Sequence, residues 1–346
     1  MQQTQNDQTQ TYLALLNTYP SPHNGQPMVL RALDDHTWDV FFDTSRGLRS
    51  TPISYLFSFV TVGVFFAHAE ACGRALGHAV ETTVVVPPDD EGMRQPGLLH
   101  CGQLRLQYGT VEADSELETA IRFRQTSRRK YHAGLTGNEK AAASTLATPH
   151  GLTATFLEEA QAHQAVWLNQ RAVFDDMFNI EVRKELVHWL RFNQREKSEK
   201  RDGLAYDCME LRGGMLKFVC DHYRFLRWPV VAPLLKEYYL RTMQDKSSVG
   251  YVRSAFSTPQ DAYTIGRYIT ELWLLLSRER AYMHPFGTIV SNEQAHADFV
   301  RLAGIETEER GAAYVVFVFR AGRSDVPVRS ERLMPATHLS KEAVHV

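Results

Sequence analysis

Cysteine is scarce in this chain, with four in 346 residues and no CxxC pair. The four are widely spaced: Cys72, Cys101, Cys208 and Cys220. This spacing argues against an extracellular disulfide framework and against a zinc knuckle. His68 and Cys72 are four positions apart, which would place them on one helix face, but no second pair of ligands lies nearby. We therefore predict no metal site.

The chain also lacks a large net charge, a long apolar segment and a dinucleotide fingerprint. Its formal net charge is −2, so no overall field attracts nucleic acid or an anionic membrane. The most apolar segment, residues 53–67, is too short to cross a bilayer comfortably. No secretory signal pattern is visible, and no G-x-G-x-x-G follows a strand pattern. We predict a cytoplasmic protein with no nucleic-acid or membrane partner and no Rossmann domain.

Helix and strand patterns are mixed along the whole chain, which predicts a helix-rich α+β fold that allows antiparallel pairing. The polar residues 1–10 are predicted to be disordered. Runs with alternating or helical spacing of apolar residues give the elements. The predicted strands are 28–33, 37–42, 81–86, 103–108 and 313–319. The predicted helices are 12–17, 54–76, 151–174, 180–192, 229–243 and 258–279.

A polar turn, SPHNGQPM, occupies residues 21–28. Pro22 and Pro27 fix φ there, and Gly25 allows a tight bend. Four of its side chains supply hydrogen-bond donors and acceptors: Ser21, His23, Asn24 and Gln26. Such a rigid loop suits a flat heterocycle with carbonyl groups and ring nitrogens. A turn that caps itself and binds nothing has the same composition, so both readings stay open at this point.

Two basic segments are candidates for an anion site. Arg124, Thr126 and Arg128 occupy alternate positions, which point the same way in an extended chain. Two guanidinium groups and a hydroxyl match the oxygens of a phosphate monoester. Arg329 and Arg332 follow the last predicted strand and could close on the same anion. The alternative for each segment is a solvated basic surface.

These motifs, in this order, resemble the nitroreductase-like FMN-binding superfamily, in particular its two-repeat Acg-type branch. SPHNGQP at 21–27 is similar to the SxHNxQPW loop of that family. Residues 124–128 are similar to its R-x-T-x-R element, and RSER at 329–332 to its R-S-x-R segment. The likeness extends over residues 12–338.

Two further segments support the resemblance. EVRKELVHWLRFNQ at 181–194, followed by RDGL at 201–204, is similar to a helix and a GL motif of the branch. YMHPFG at 282–287 stands where the family has a glycine- or proline-rich helix exit beside the flavin. This position adds Pro285 and Gly287 to the candidate cofactor-binding residues.

The resemblance implies a nitroreductase-like flavin fold of two fused halves, residues 11–115 and 116–346. The halves would form an internal pseudo-dimer, as a monomer or a homodimer, around FMN. The phosphate of FMN would be held by Arg124, Thr126, Arg128, Arg329 and Arg332. The isoalloxazine and ribityl groups would lie against Ser21, His23, Asn24 and Gln26. Two departures leave the shape of the substrate face open: Met28 replaces the family's Trp, and Gly25 replaces a common Asn or Thr.

The implied function is an FMN-dependent oxidoreductase. It would transfer hydride through flavin N5 to or from a small aromatic, quinone, nitro or biosynthetic-intermediate substrate, with NAD(P)H as a transient donor. The alternative is a protein that binds and sequesters FMN under a lid at about 193–256. A flavin-consuming or oxygen-using enzyme is a third hypothesis that no residue singles out. His23 and His284 are candidate proton donors or structural histidines, and no catalytic dyad is predicted.

Overall fold

The computed structural model describes residues 2–51, 53–230, 233–234, 237, 245–333 and 344–345. It is a mixed α+β structure in which 49% of the residues are helical. Within the described residues, the strands of both large sheets pair in antiparallel fashion. The predicted helix-rich α+β class is confirmed.

The helices begin and end where local sequence favours it. Thr136 and Thr258 form capping boxes with Glu139 and Asp261 at the start of two of them. Helices α1 to α12 are, in chain order, Gln2–Leu16, Ser54–Ala75, Glu91–Arg94, Ser115–Phe123, Gly137–Ala147, Glu159–Asp176, Ile180–Trp189, Gln194–Lys200, Gly213–Asp221, Pro259–Arg278, Gly287–Ser291 and Glu293–Leu302.

The strands build two large sheets and one small one. Strands β1 to β12 are Met28–Ala32, Thr37–Asp43, Ala79–Val84, Leu98–Gln107, Tyr131–Ala133, Thr153–Phe156, Leu190–Arg191, Leu204–Ala205, Ser248–Ser254, Tyr282–Pro285, Tyr314–Ser324 and Val344–His345. The first sheet has the order β12-β1-β2-β4-β3. The second has the order β10-β11-β9-β6, and β5 pairs with β11. Strands β7 and β8 form a parallel pair.

The two sheets draw on different parts of the chain. Strands β1 to β4 end at Gln107, whereas the strands of the second sheet lie between Tyr131 and Ser324. The exception is β12, which returns from the C-terminal end to pair with β1. This arrangement is compatible with a boundary near residue 115, but the division into two fused halves stays a prediction.

Helices α2 and α10 cross at the centre of the main core. Gly63 and Gly266 lie at the crossing, where a Cβ on Gly63 would overlap the Tyr263 carbonyl oxygen. Helix α2 is apolar on all sides and is long enough, at 22 residues, to cross a membrane by length and composition. However, 83% of its most apolar window is buried inside the protein, as in a core helix. The apolar segment was predicted to end at residue 67 and to be too short to cross a bilayer. That length is an underestimate, because the apolar pattern continues to Ala75.

A second, smaller core lies outside the main one. It consists of Met177, Leu190, Cys220 and Leu226, with partly buried aromatic and aliphatic residues around it. We call residues 177–228, which contain α7 to α9 and the β7–β8 pair, the cover unit. It includes the first part, residues 193–228, of the predicted lid at about 193–256.

Three of the predictions are wrong in the structure. Residues 2–10 are helical, because Thr9 is buried and its hydroxyl hydrogen-bonds to that of Tyr108 at 2.5 Å. Residues 153–156 form β6 rather than the start of a helix, because they pair with β9. A lid extending to 256 is excluded, because β9 is an inner strand of the second sheet. Most of the helix predicted at 229–243 lies outside the described residues.

Candidate functional site

The loop between α1 and β1 has a strained backbone. Pro22–Asn24 forms one 3-10 turn, and His23, Asn24 and Gln26 have φ of 51°, 54° and 51°. A non-glycine residue in this left-handed region costs on the order of 1–3 kcal/mol unless its surroundings hold it there. The Ser21 hydroxyl accepts a hydrogen bond from the Gln26 amide at 2.9 Å. Backbone strain of this kind is common at ligand sites.

Two polar side chains of the loop bind other parts of the protein. Asn24 accepts at Oδ1 from Nη1 of Arg332 at 2.7 Å. Gln26 donates to the Arg201 carbonyl oxygen at 3.0 Å and accepts from the Leu333 amide at 2.8 Å. These bonds hold the loop against two distant segments. The predicted contacts of Ser21, Asn24 and Gln26 with a ligand stay predictions.

His23 is different, because one of its ring nitrogens is enclosed and unpartnered. Its Nδ1 has no hydrogen-bond partner among the described residues. Burial lowers the pKa of His23, with Glu185 opposing this effect and Arg128 adding to it. The neutral ring is therefore favoured at pH 7, which argues against His23 as a proton donor. An enclosed polar atom without a protein partner is typical of a site that a ligand or a water completes.

Two arginines from distant segments meet at the C-terminal end of α1, and the charge of a third acts on one of them. These are Arg124, Arg329 and Arg332, which we call the arginine cluster. Arg124 donates from Nη2 to the Thr18 carbonyl oxygen at 2.8 Å. Arg332 donates from Nε to the carbonyl oxygen of Asn17 and from Nη2 to that of Tyr19, both at 2.7 Å. The folded chain thus brings positions 124 and 332 to one short segment, 17–19.

Among the residues that the structure describes, no carboxylate neutralises the charges of the arginine cluster. Burial, then Arg332 and Arg329, lower the pKa of Arg124 to about 9. Burial lowers the pKa of Arg332 to about 10 and that of Arg329 as well. No carboxylate in the described ranges acts on any of the three, and Nε of Arg124 is enclosed without a partner. Arg124 and Arg332 are partly buried and Arg329 is exposed. Partly buried positive charges without a counter-charge are unfavourable, so this cluster is a candidate anion site.

Buried groups around the cluster respond to its charge. The pKa of His68, which is fully buried on α2, falls to about 3 because of burial and the charges of Arg124 and Arg332. The ring is therefore neutral, and its Nε2 lies 3.1 Å from the Thr18 hydroxyl. Among the described residues, no group of three or more His, Cys, Asp or Glu is placed to hold a metal ion.

Thr126 and Arg128 lie towards another part of the site. Thr126 forms a bridge with Met283 of β10. Arg128 donates to the Cys208 carbonyl oxygen at 3.4 Å, and its charge acts on both His23 and His284. Arg329 and Arg332 are cations whose charges lower the pKa of Arg124. The assignment of Arg124, Thr126 and Arg128 to one phosphate stays a prediction.

The end of β10 carries YMHPFG at 282–287, the segment that was predicted to lie beside the flavin. His284 is buried, with 7% of its surface exposed, and Pro285 pairs with Phe319 of β11. Gly287 begins α11, and nothing lies within 4 Å of the position a Cβ would take there. Burial, Arg128 and Arg320 hold the pKa of His284 well below its ordinary value. His284 is therefore not a proton donor at neutral pH.

The cover unit closes on the 21–28 loop. The Gly203 amide donates to the Asn24 carbonyl oxygen at 3.2 Å. Asp202 pairs with Arg46 and with Arg191, both at 2.5 Å. Arg46 in turn donates to the Gly25 carbonyl oxygen at 2.6 Å. Ionic contacts therefore join the unit to the site loop.

Sequence reasoning missed a buried ion pair beneath β10. Arg320 and Asp245, with side chains 0% and 2% exposed, lie 2.7 Å apart. The available signal was a charged residue inside the apolar run of β11. Asp245 gave no signal, because its partner is 75 positions away and only the fold brings the two together.

No protein-family model matches the chain, and no curated protein matches it. Among solved structures, the FMN-dependent nitroreductase NfnB from Mycobacterium smegmatis, in complex with NADPH, aligns with 61% of this chain and 88% of its own. The identity is 12% and the TM-score 0.36. A nitroreductase-like family protein from Bacillus cereus aligns with 66% of this chain and 95% of its own, at 12% identity and a TM-score of 0.34. Both belong by description to the superfamily that the motifs resemble, but at these TM-scores neither alignment carries an argument for this chain.

Proposed function

We propose that this chain binds FMN and works as an FMN-dependent oxidoreductase. The substrate would be a small aromatic, quinone, nitro or biosynthetic-intermediate compound, with NAD(P)H as a transient donor. The observation that carries the proposal is the arginine cluster, which has no carboxylate partner in the described part of the chain. Bound FMN supplies hydride transfer through N5, a chemistry that no amino-acid side chain provides.

The arginine cluster fits a phosphate monoester. A guanidinium group has five N–H donors, and Arg124 and Arg329 each use one of them on a carbonyl oxygen. The donors left over include the enclosed Nε of Arg124. Charge-assisted bonds from such groups match phosphate oxygens in pairs. A phosphate would therefore provide the counter-charge and the partner that the cluster lacks.

Arg128, His23 and His284 would contact the remainder of the ligand. The charge of Arg128 acts on both histidines, which are kept neutral by burial. Arg128 is thus the positive group on this side of the site. A fixed positive group stabilises negative charge that develops on a bound ligand.

We further propose that the two large sheets correspond to two fused nitroreductase-like halves, as in the Acg-type branch. The site would then lie between the 21–28 loop of the first half and β10 of the second. Met283 of β10 bridges Thr126, and Arg332 bonds Asn24 of the loop. The first contact lies within the second half, and the second joins the two halves. The chain would be an internal pseudo-dimer, as a monomer or a homodimer.

Titration with FMN and with riboflavin, followed by flavin fluorescence, tests the phosphate assignment. Because a hydrogen bond to a charged group contributes about 1.5–3 kcal/mol, FMN should bind roughly 100-fold more tightly than riboflavin. Equal affinities would contradict the role of the arginine cluster. Absence of binding by either flavin would contradict the cofactor assignment.

Anaerobic addition of NADH or NADPH to the FMN-loaded protein tests turnover. Bleaching of the near-ultraviolet and blue absorption bands is the expected result. It would justify a screen of quinones and nitroaromatic compounds as acceptors. If dithionite bleaches the absorption bands but neither NADH nor NADPH does, NAD(P)H is not the donor.

Sequestration of FMN is a second candidate function, and the cover unit favours it. Residues 201–203 contact the site loop directly, and Arg201 also donates to the Arg332 carbonyl oxygen at 3.0 Å. A unit that stays closed would exclude nicotinamide from the flavin. Tight FMN binding together with no reduction by NADH or NADPH would support sequestration over catalysis.

A further inference from the structure

The protonated ring nitrogen of His284 is determined by its neighbour. Nδ1 of His284 lies 3.3 Å from Nε of Arg320, and this Nε donates to it. A guanidinium has no acceptor atom, so Nδ1 must accept. A neutral imidazole carries its single proton on the other nitrogen. Nε2 of His284 is therefore an N–H donor.

Arg320 is itself fixed by three groups. Its Nη1 pairs with Asp245 at 2.7 Å, and its Nη2 donates to the Arg129 carbonyl oxygen at 3.2 Å. The ring of Tyr131 lies 4.7 Å from the guanidinium carbon. Asp245 also accepts from the Tyr131 amide at 2.9 Å. Since Arg320 is fully buried, this arrangement holds the imidazole of His284 in one orientation.

His284 lies beside the predicted segment 124–128 and close enough to Arg128 for its charge to act on the ring. Met283, the preceding residue, bridges Thr126, and its carbonyl oxygen accepts from the Ser127 amide at 3.4 Å. Arg128 acts on His284 and on His23 alike. Among the described residues, no acceptor is found for the Nε2–H group of His284, so this donor is left for a ligand.

We propose that His284 is a positioning residue of the flavin site, whose fixed Nε2–H donates a hydrogen bond to an acceptor atom of the isoalloxazine ring. This inference rests on the proposed function. The acceptor is a carbonyl oxygen or an unprotonated ring nitrogen, because Nε2 has no lone pair to receive a proton from the ligand. The ion pair between Arg320 and Asp245 holds Arg320 in place, and Arg320 in turn fixes the orientation of the His284 ring.

Two variants of His284 separate hydrogen bonding from packing. In His284→Gln the amide oxygen can accept from Arg320 while the amide nitrogen donates to the ligand. In His284→Met both polar functions are lost. We expect FMN affinity to fall about tenfold in H284M, as for the loss of one hydrogen bond of about 1.4 kcal/mol, and less than about threefold in H284Q. The exposed residue His132 provides the control H132M, with unchanged affinity.

The tautomer is tested on the wild-type chain without any variant. With ¹⁵N-labelled histidine, NMR should show His284 as a neutral ring protonated at Nε2 from pH 6 to 9. Protonation at Nδ1, wild-type FMN affinity in H284M, or an equal loss in H284Q and H284M would each overturn the inference. Failure of the wild-type chain to bind FMN would instead overturn the proposed function, and the ligand assigned to His284 with it. Thermal melts of each variant identify any that does not fold.

Discussion

Arg124 is a residue whose charge is unfavourable in the free protein. It is partly buried, the charges of Arg332 and Arg329 act on it, and its enclosed Nε has no partner among the described residues. Its guanidinium also lies over the ring of Trp273, at 4.9 Å from the centroid. A ligand that supplies the missing counter-charge and hydrogen-bond acceptor would bind only the folded state. It would therefore raise the free energy of unfolding by mass action.

Replacement of Arg124 by Met should separate binding from folding. We expect FMN affinity to fall by about 10- to 100-fold, from the loss of charged hydrogen bonds. The ligand-free variant should be at least as stable as the wild type, because burial of an unpaired charge is relieved. Calorimetric titration and urea unfolding measure the two quantities. The control is Arg122→Met, whose exposed side chain pairs with Glu118; wild-type affinity in R124M would remove Arg124 from the phosphate site.

Asp176 gives a pH-dependent prediction at the end of α6. Burial raises its pKa from 3.8 to about 6, with Asn292 opposing and Asp175 adding to the effect. Because the folded state then binds the proton more tightly than the unfolded state, stability falls as pH rises from about 4 to about 6. Asp176→Asn should therefore stabilise the protein by about 1–3 kcal/mol at pH 7.5 and hardly at pH 4. Urea unfolding at both pH values measures the gain, with exposed Asp35→Asn as control. An equal gain at the two pH values would contradict this prediction.

At the scale of elements, the periodic spacing of apolar residues predicted the longest helices and two of the strands well. The predicted helices 54–76 and 258–279 and strands 28–33 and 37–42 agree with α2, α10, β1 and β2 to within one or two residues. Their periodicity extends over enough residues to be unambiguous. Strands β5, β6, β9 and β10 were missed, because short apolar runs become strands only through partners far along the chain.

The crossing of α2 and α10 depends on glycine at the element scale. A Cβ on Gly266 would overlap the Val60 carbonyl oxygen. Gly266→Ala should therefore destabilise the protein by about 1–3 kcal/mol, although alanine favours helix by about 1 kcal/mol. Gly214→Ala in α9 is the matched control, since nothing lies within 4 Å of its Cβ position. Thermal unfolding should show a lower Tm for G266A and an equal or higher one for G214A; equal shifts would contradict the close crossing.

At the scale of the whole molecule, the cover unit is a separate small body held over the site. Its core is distinct from the main core, and Asp202 joins it to the rest through Arg46. Asp202 also neutralises Arg191, whose side chain is only 3% exposed. Removal of one partner from such a pair costs about 3–5 kcal/mol. The stability of the unit therefore depends on this one carboxylate.

Asp202→Asn should loosen the cover unit without unfolding the main core. We expect amide hydrogen exchange in residues 190–228 to be at least about tenfold faster, with the central strands unchanged. Dissociation of FMN should be faster as well. Glu199→Gln, which removes a surface partner of Arg195, is the control. Unchanged exchange in the unit, or faster exchange throughout the chain, would contradict an independently held cover.

The sequence alone determined the fold class, the longest elements and the segments that we propose form the site. These follow from periodicity, turn chemistry and clusters of basic residues, which are properties of neighbouring positions. Only the tertiary structure decided which distant arginines come close together, and it brings Arg329 and Arg332 near enough for their charges to act on Arg124. It also decided the tautomer of His284 and the ion pair that fixes it. The physical reason is that burial and mutual repulsion depend on distances between residues that are up to about 200 positions apart, and local sequence does not encode those distances.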